Sequence, residues 1–268
     1  MARHVVLGSK GFIGRYLSDW LKSQGKQVIE YDIKNGPRQD CRVVDLTLNK
    51  DDIVYFLAWE VGGAKYLYNP DTQLDQIHRN IDLMNNVFRQ LEVSKCKFIF
   101  ISSQLSGTNS AYGSLKHFGE IWTSQLPNGR CIRLWNVYGA YETLSEKSHV
   151  ISDFIHQALT NNKIELLTTG DEKRQFIHID DVCSAIAASF CNTYHETIYD
   201  VTSFEWIKII DVARIIQKYL NCGIFYDDKI GTTQNVLIKG KLPNWYPKVK
   251  LERGIGDTIR LYKEKLEV

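Results

Sequence analysis

Apolar strand patterns alternate with amphipathic helices in the first half of the chain. A glycine-spaced turn joins the first strand to the first helix, and a carboxylate closes the second apolar run. These three features predict an α/β fold: a doubly wound parallel sheet of the Rossmann type with a smaller C-terminal α/β region. The turn is HVVLGSKGFIG, where Gly8, Gly11 and Gly14 follow a strand at 4–7 and open a helix at 12–24. Glycine lets the backbone bend sharply and approach an anion, and the helix N-terminus offers free N–H groups and partial positive charge. Ile13, Leu17, Trp20 and Leu21 recur at helical spacing and form the apolar face of that helix. Asp32 ends the run QVIEYD, 18 positions past Gly14, a separation that suits a carboxylate on an adenosine ribose. The chain is therefore expected to bind a dinucleotide. Because Asp32 would repel a 2′-phosphate, NAD is expected rather than NADP.

The remaining elements follow in order. Near-continuous apolar runs such as IVYFLAW and KFIFI read as strands covered on both faces, as in a parallel sheet between helix layers. Strands are expected at 4–7, 27–31, 42–44, 53–57, 97–101 and 130–134, and helices at 12–24, 71–92 and 111–125. Only a short polar segment separates residues 45 and 53, so a clipped connection replaces a crossover helix there. Past residue 140 the alternation weakens. HVISDFIHQALTNN, DDVCSAIAASF and IKIIDVARIIQKYL read as helices, with short strands at 165–167 and 199–201 and a last helix at 251–265. The expected division is an NAD-binding Rossmann domain, 1–140, its sheet completed by segments near 175–205, and a mostly helical substrate-binding region, 141–268. A cleft between them is the default place for a substrate.

Composition narrows the partners. The formal net charge is +2 with both signs interleaved, which points away from nucleic acid and from an anionic membrane surface. Six cysteines (Cys41, Cys96, Cys131, Cys183, Cys191, Cys222) are scattered without a C-x-x-C pair, so buried free thiols in a reducing compartment are expected. A strand pattern begins almost at the start, leaving no room for a signal peptide, and no apolar run is long enough to span a bilayer. A cytoplasmic protein without a metal site is the expectation.

The chemistry is carried by FISSQLSGTNSAYGSLK, which runs from a buried strand through a polar loop into a helix. Tyr112 and Lys116 stand four residues apart, so phenol and ammonium share one helix face. A phenol titrating near 10 is a poor base at neutral pH, and a neighbouring cation favours its phenolate. Ser103, at the end of the preceding strand, can hydrogen-bond the same substrate oxygen. This triad suits proton transfer at a secondary alcohol while hydride moves to or from a nicotinamide.

The turn pattern GxxGFIG stands here as Gly8-Ser-Lys-Gly11-Phe-Ile-Gly14, and YxxxK as Tyr112 to Lys116 behind Ser103. Asp45-Leu46, Asn80, RLWNVYG (133–139) and the set Arg174, Phe176, Ile177, His178, Asp181 and Val182 complete the pattern. In these motifs, and over nearly its whole length, the chain resembles an extended short-chain dehydrogenase/reductase of the NAD-dependent nucleotide-sugar epimerase/dehydratase family. The resemblance implies an NAD site lined by Gly8, Lys10, Gly11, Phe12, Ile13, Gly14, Asp32, Ile33, Asp45, Leu46, Leu57 and Ala58. Trp59, Asn80, Ile101, Ser102, Tyr112, Lys116 and Val137 complete that lining. It also implies that Ser103, Asn136 and Arg174 meet a nucleotide-diphosphate sugar, with the Arg174 fork on the diphosphate. A homodimer through the 71–92 and 111–125 helices is implied as well. His178 reads as a structural residue more readily than as a catalyst, and Asp181 reads equally as a helix cap. In LAWEVGGAKYL, Glu60 or Lys65 could touch the sugar, and Gly62-Gly63 would let backbone come close to it.

Family members share oxidation or reduction at C4 of the hexose and differ afterwards. Dehydratases carry Asp-Glu directly after the catalytic Thr, decarboxylating relatives carry a Glu at the second of those positions, and C3/C5 epimerases carry a Cys. Here those positions hold Gln104 and Leu105. Two chemistries survive: redox-neutral epimerisation through a transient 4-keto sugar, and one-way reduction of a 4-keto sugar by NAD(P)H. Asp32 and the neutral Ser-Gln-Leu tail lean toward the epimerase. A non-catalytic NAD-binding regulator is the remaining alternative, which the presence of all three catalytic residues disfavours.

Overall fold

The structure, a computed structural model, describes residues 2–62, 64–67, 69–140, 142, 148–190, 196–233 and 236–266. The chain begins β1 (His4–Leu7), α1 (Phe12–Ser23), β2 (Val28–Tyr31), β3 (Ile53–Phe56), α2 (Ala64–Leu67), α3 (Pro70–Ser94), β4 (Lys97–Ser103), α4 (Ala111–Ser124) and β5 (Gly129–Leu134). It continues with β6 (Asn136–Tyr138), α5 (Val150–Asn161), β7 (Lys163–Leu166), β8 (Lys173–Arg174), β9 (Phe176–His178), α6 (Ile179–Ala188) and β10 (Ile198–Val201). The last elements are β11 (Ile207–Lys208), α7 (Ile209–Leu220), β12 (Gly223–Tyr226) and α8 (Leu251–Leu266).

Six strands form one parallel sheet in the order β2-β1-β3-β4-β5-β10. The chain steps outward from β1 to β2, then returns to place β3 on the other side of β1. This reversal opens a crevice beyond the carboxyl ends of β1 and β3, where open α/β sheets bind ligands. Strand periodicity sorts the core into two faces. Val5, Leu7, Val54, Phe56, Phe98, Phe100 and Cys131 pack with Leu83, Met84, Val87, Phe88 and Leu91 of α3. Val6, Tyr55, Ile99, Ile101, Ile132 and Leu134 point the other way, onto Leu17 and Leu21 of α1 and Val182, Cys183 and Ile186 of α6. A third core joins α5, α7 and α8 to β7 and β9 through Phe154, Ile155, Val212, Ile216, Ile255 and Ile259.

Helix α4 lies unusually close to the sheet because Gly119 faces Phe100: a Cβ there would sit 2.4 Å from the ring. Phe88 stacks on Trp122 with centroids 4.9 Å apart, locking α3 to α4. Burying one such aromatic contributes roughly 1.5–3 kcal/mol, so packing holds the helix that carries Tyr112 and Lys116 in place.

The strand expected at 42–44 is a turn instead. The Asp40 carboxylate accepts from the Arg42 N–H and guanidinium, and the Asp40 carbonyl accepts from Val43 and Val44. The carbonyls a ladder would need go to α3: Asn86 Nδ2 donates to those of Cys41 and Val44, and Gln90 Nε2 to Val44. With no strand there, the clipped connection becomes one long span between β2 and β3 whose regular pieces are 3-10 turns at Ile33–Asn35 and Pro37–Gln39. The pairs β6–β9, β7–β12 and β8–β11 form small separate sheets. The five described cysteines are buried and free, and Cys191 lies outside the described residues.

Candidate active site

The turn after β1 is shaped by contact as well as by conformation. Gly8 has φ +87°, and a Cβ there would lie 2.6 Å from the Ala58 nitrogen. At Gly14 a Cβ would meet the Gly8 carbonyl at 2.1 Å. The turn therefore presses onto the residues that follow β3, and Leu57 and Ala58 stand half-buried against it. Gly11 is the N-cap of α1 and brings no side-chain cap, so the first N–H groups of α1 remain for an anion. Phe12 and Ile13 open the helix and pack on the core.

Asp32, at the carboxyl end of β2, ties this turn down. Its carboxylate accepts from the Lys10 N–H at 2.8 Å and the Lys34 N–H at 2.9 Å. An ionised carboxylate has about four acceptor positions, so capacity remains for ribose hydroxyls. Ile33 is exposed beside it. Asp45 is exposed and caps the Thr47 N–H, whereas Leu46 is buried, with its N–H on Gln90 and its carbonyl on the Tyr31 hydroxyl. Asn80 reaches the site through a loop: its amide accepts from the Glu60 N–H at 2.8 Å and donates to the Glu60 carbonyl at 3.1 Å. The Glu60 carboxylate accepts from the Tyr66 hydroxyl at 2.7 Å and lies 4.0 Å from Arg79. It is thus held on the α2–α3 side of the loop. Gly63 and the Lys65 side chain lie outside the described residues.

Helix α4 is capped by the Ser110 hydroxyl, which accepts from the Gly113 N–H. Two residues past this cap stands Tyr112, and one turn later Lys116. The Lys116 ammonium donates to the Ile101 carbonyl at 2.7 Å and lies 3.7 Å from the Trp59 ring centroid and 5.9 Å from that of Tyr112. Burial lowers its pKa from 10.5 to about 7, against the opposing pull of Cys131 and Glu120. Ser103 ends β4, and its Oγ accepts from the Leu105 N–H at 3.2 Å.

Beneath these groups lies a network that the sequence reading missed. Glu120 is fully buried and takes two bonds from the Arg133 guanidinium, from Nε at 2.7 Å and from Nη2 at 2.5 Å, and one from the Ser102 hydroxyl at 2.6 Å. Burial raises the Glu120 carboxyl, but Arg133 and Ser102 together bring it below its ordinary value. The signal was present in the spacing: Tyr112, Lys116 and Glu120 follow at i, i+4 and i+8 on one face of α4.

Asn136, in β6, donates to the Gln175 carbonyl at 2.7 Å. Gln175 follows Arg174, whose guanidinium donates to the carbonyls of Lys173 and Thr232. Val137 is buried in the core beside Asn136. His178 is the N-cap of α6, accepting from the Asp180 N–H, and burial lowers its pKa. Asp181 is not the cap. Its carboxylate accepts from the N–H groups of Lys248 and Val249 and anchors the segment that leads into α8.

A family model described as the NAD dependent epimerase/dehydratase family matches residues 4–201. The chain is 22% identical to UDP-glucuronic acid decarboxylase 1 of Xenopus tropicalis, over 99% of this chain and 73% of that protein. It is 31% identical to dTDP-L-rhamnose 4-epimerase of Burkholderia thailandensis, over 59% of this chain and 47% of that one. A solved structure of MoeE5 in complex with UDP-glucose and NAD superposes with a TM-score of 0.84 at 18% identity, covering 99% of this chain and 100% of the other.

Proposed function

Because the chain belongs to the NAD dependent epimerase/dehydratase family, we propose that it epimerises a nucleotide-linked hexose at C4 through a transient 4-keto sugar. The residues fit the family's cofactor: a glycine cradle that a Cβ would fill, uncapped helix N–H groups, and a carboxylate with acceptor capacity left for ribose hydroxyls. NAD, when bound, accepts a hydride from the sugar and returns it. Gly8, Gly11 and the start of α1 would hold the pyrophosphate and Asp32 the ribose, while the second half, 141–268, would close over the sugar.

Tyr112 takes the proton of the C4 hydroxyl and gives it back. Lys116 holds positive charge near the phenol, and Ser103 donates a hydrogen bond to the reacting oxygen. The Glu120–Arg133 pair fixes the helix on which the first two stand. The observation that carries the reading is this constellation beside a neutral pair. Ser103, Tyr112 and Lys116 are all present, whereas Gln104 and Leu105 hold no acid or base that could expel a hydroxyl or deprotonate a second carbon.

Helices α3 and α4 expose Leu74, Ile81, Phe118 and Ile121, which supports a homodimer across this face. The buried free thiols support a reducing, cytoplasmic setting. No helix among the described residues is long and apolar enough to cross a membrane.

The test is a panel of UDP-, GDP-, dTDP- and CDP-hexoses with NAD-loaded protein. The C4 epimer forms without net change in NADH absorbance. Stoichiometric NADH consumption on a 4-keto sugar, with no epimer formed, would make the protein a reductase instead.

A further inference from the structure

One residue past Ser103 the chain buries an amide whose oxygen has no donor. Gln104 is 6% exposed, and its Oε1 receives no hydrogen bond. Its backbone N–H donates to the Leu134 carbonyl at 3.1 Å, which pins the residue between the carboxyl ends of β4 and β5. The orientation of the amide follows from a relay. Asn136 bonds the Gln175 carbonyl through Nδ2 at 2.7 Å, a contact only the amide nitrogen can make. Asn136 Oδ1 therefore faces away and needs a donor, and Gln104 Nε2 stands 3.5 Å from it. With its nitrogen turned to Asn136, Gln104 offers an acceptor at the other end of its amide. Buried acceptors are costly to leave unpaired, and such exceptions concentrate where a ligand or water completes them.

We propose that Gln104 Oε1 accepts a hydrogen bond from the 6-hydroxyl of a neutral hexose, not from the hydroxyl that reacts. Asn136 is then a positioning residue that acts through Gln104. This deepens, and rests on, the nucleotide-sugar reading. The chemistry selects for charge. A sugar hydroxyl brings the donor that Oε1 lacks, whereas a uronate carboxylate in its place would set two acceptors against each other. The relay also joins the strand end that carries Ser103 to Gln175 in the second half, so the sugar would complete a chain of bonds spanning both.

Gln104→Met keeps the length of the side chain and removes the acceptor. Calorimetric titration of NAD-loaded protein compares UDP-, GDP-, dTDP- and CDP-glucose, each with its own free diphosphate, and UDP-glucuronic acid with UDP. The wild type gains affinity from glucose on at least one diphosphate. Gln104→Met loses on the order of ten-fold of that gain, while its binding of NAD and of free diphosphate stays within about two-fold. Glucuronic acid adds nothing over UDP in either protein. A second arm leaves the fold untouched: with wild type, removing the 6-hydroxyl from the glucose conjugate that binds should cost as much of the gain as Gln104→Met does, whereas removing the 2- or 3-hydroxyl should not reproduce that loss. A gain that survives both Gln104→Met and the 6-deoxy analogue overturns the proposal, as does a wild type that gains nothing from glucose. Oε1 would then hold a buried water only. C4 epimer formed with the glucose gain unchanged in Gln104→Met defeats this inference alone. Loss of the gain in a protein that forms no epimer defeats the epimerase reading alone.

Discussion

Burial gives the Lys116 ammonium the Ile101 carbonyl and the face of Trp59 in place of water. The depression of its pKa from 10.5 to about 7 corresponds to roughly 5 kcal/mol against the charged form. The unfolded chain keeps this proton up to pH about 10.5 and the folded one only to about 7. The folded state thus binds fewer protons in that window, and its stability rises with pH across it. Lys116→Met removes the penalty. Without added nucleotide, the melting temperature of the variant should exceed that of wild type at pH 6, by a margin that shrinks toward pH 10. A margin independent of pH would mean that the amine is already neutral at pH 6. Activity should be lost in the same variant, because the cation that favours the Tyr112 phenolate is gone. Tyr112, Lys116 and Ser103 were legible from sequence because strand end, loop and helix face are local patterns. The depressed pKa of Lys116 was not, since Trp59 comes from the segment after β3 and Phe100 from β4, and both meet it only in the folded chain.

Helix α4 is the element on which the site depends, and two features set its place. Gly119 lets it approach Phe100, and Glu120 clamps it to Ser102 of β4 and Arg133 of β5. Removing one partner of a buried pair is destabilising by about 3–5 kcal/mol, because the other charge stays behind uncompensated. Glu120→Gln should therefore lower stability by an amount on this scale. It should lower kcat more than it raises KM, since Tyr112 and Lys116 lose their register while the nucleotide contacts lie elsewhere. Chemical denaturation and steady-state kinetics check both parts, and a stability change below 1 kcal/mol would contradict the clamp. The element scale also shows where sequence reading stops. Residues 42–44 have strand composition, but the carbonyls of Cys41 and Val44 that flank and end the run go to Asn86 and Gln90 of α3. That competition comes from a helix more than 40 residues away, which no local periodicity reports.

At the scale of the molecule, the sheet draws on both halves of the chain. β10 is its sixth strand, and Asp181 holds the segment leading to α8. Alternation of apolar runs made the parallel sheet and its order of helices readable. The small pairs β6–β9 and β8–β11 were not, because two- and three-residue strands carry no period. These short pairs nevertheless bring Asn136 next to the residue after Arg174, and so join the second half to the strand ends near Ser103. On the proposed epimerase reading, this junction would hold sugar and cofactor together until the hydride is returned. The most direct measurement uses a nucleotide-hexose carrying deuterium at C4, incubated with NAD-loaded protein and followed by mass spectrometry and NMR. The account predicts a C4 epimer that retains the deuterium at C4 and forms in wild type but not in Tyr112→Phe. Deuterium moved to C6, deuterium accumulated in free NADH, or full activity in Tyr112→Phe would contradict it.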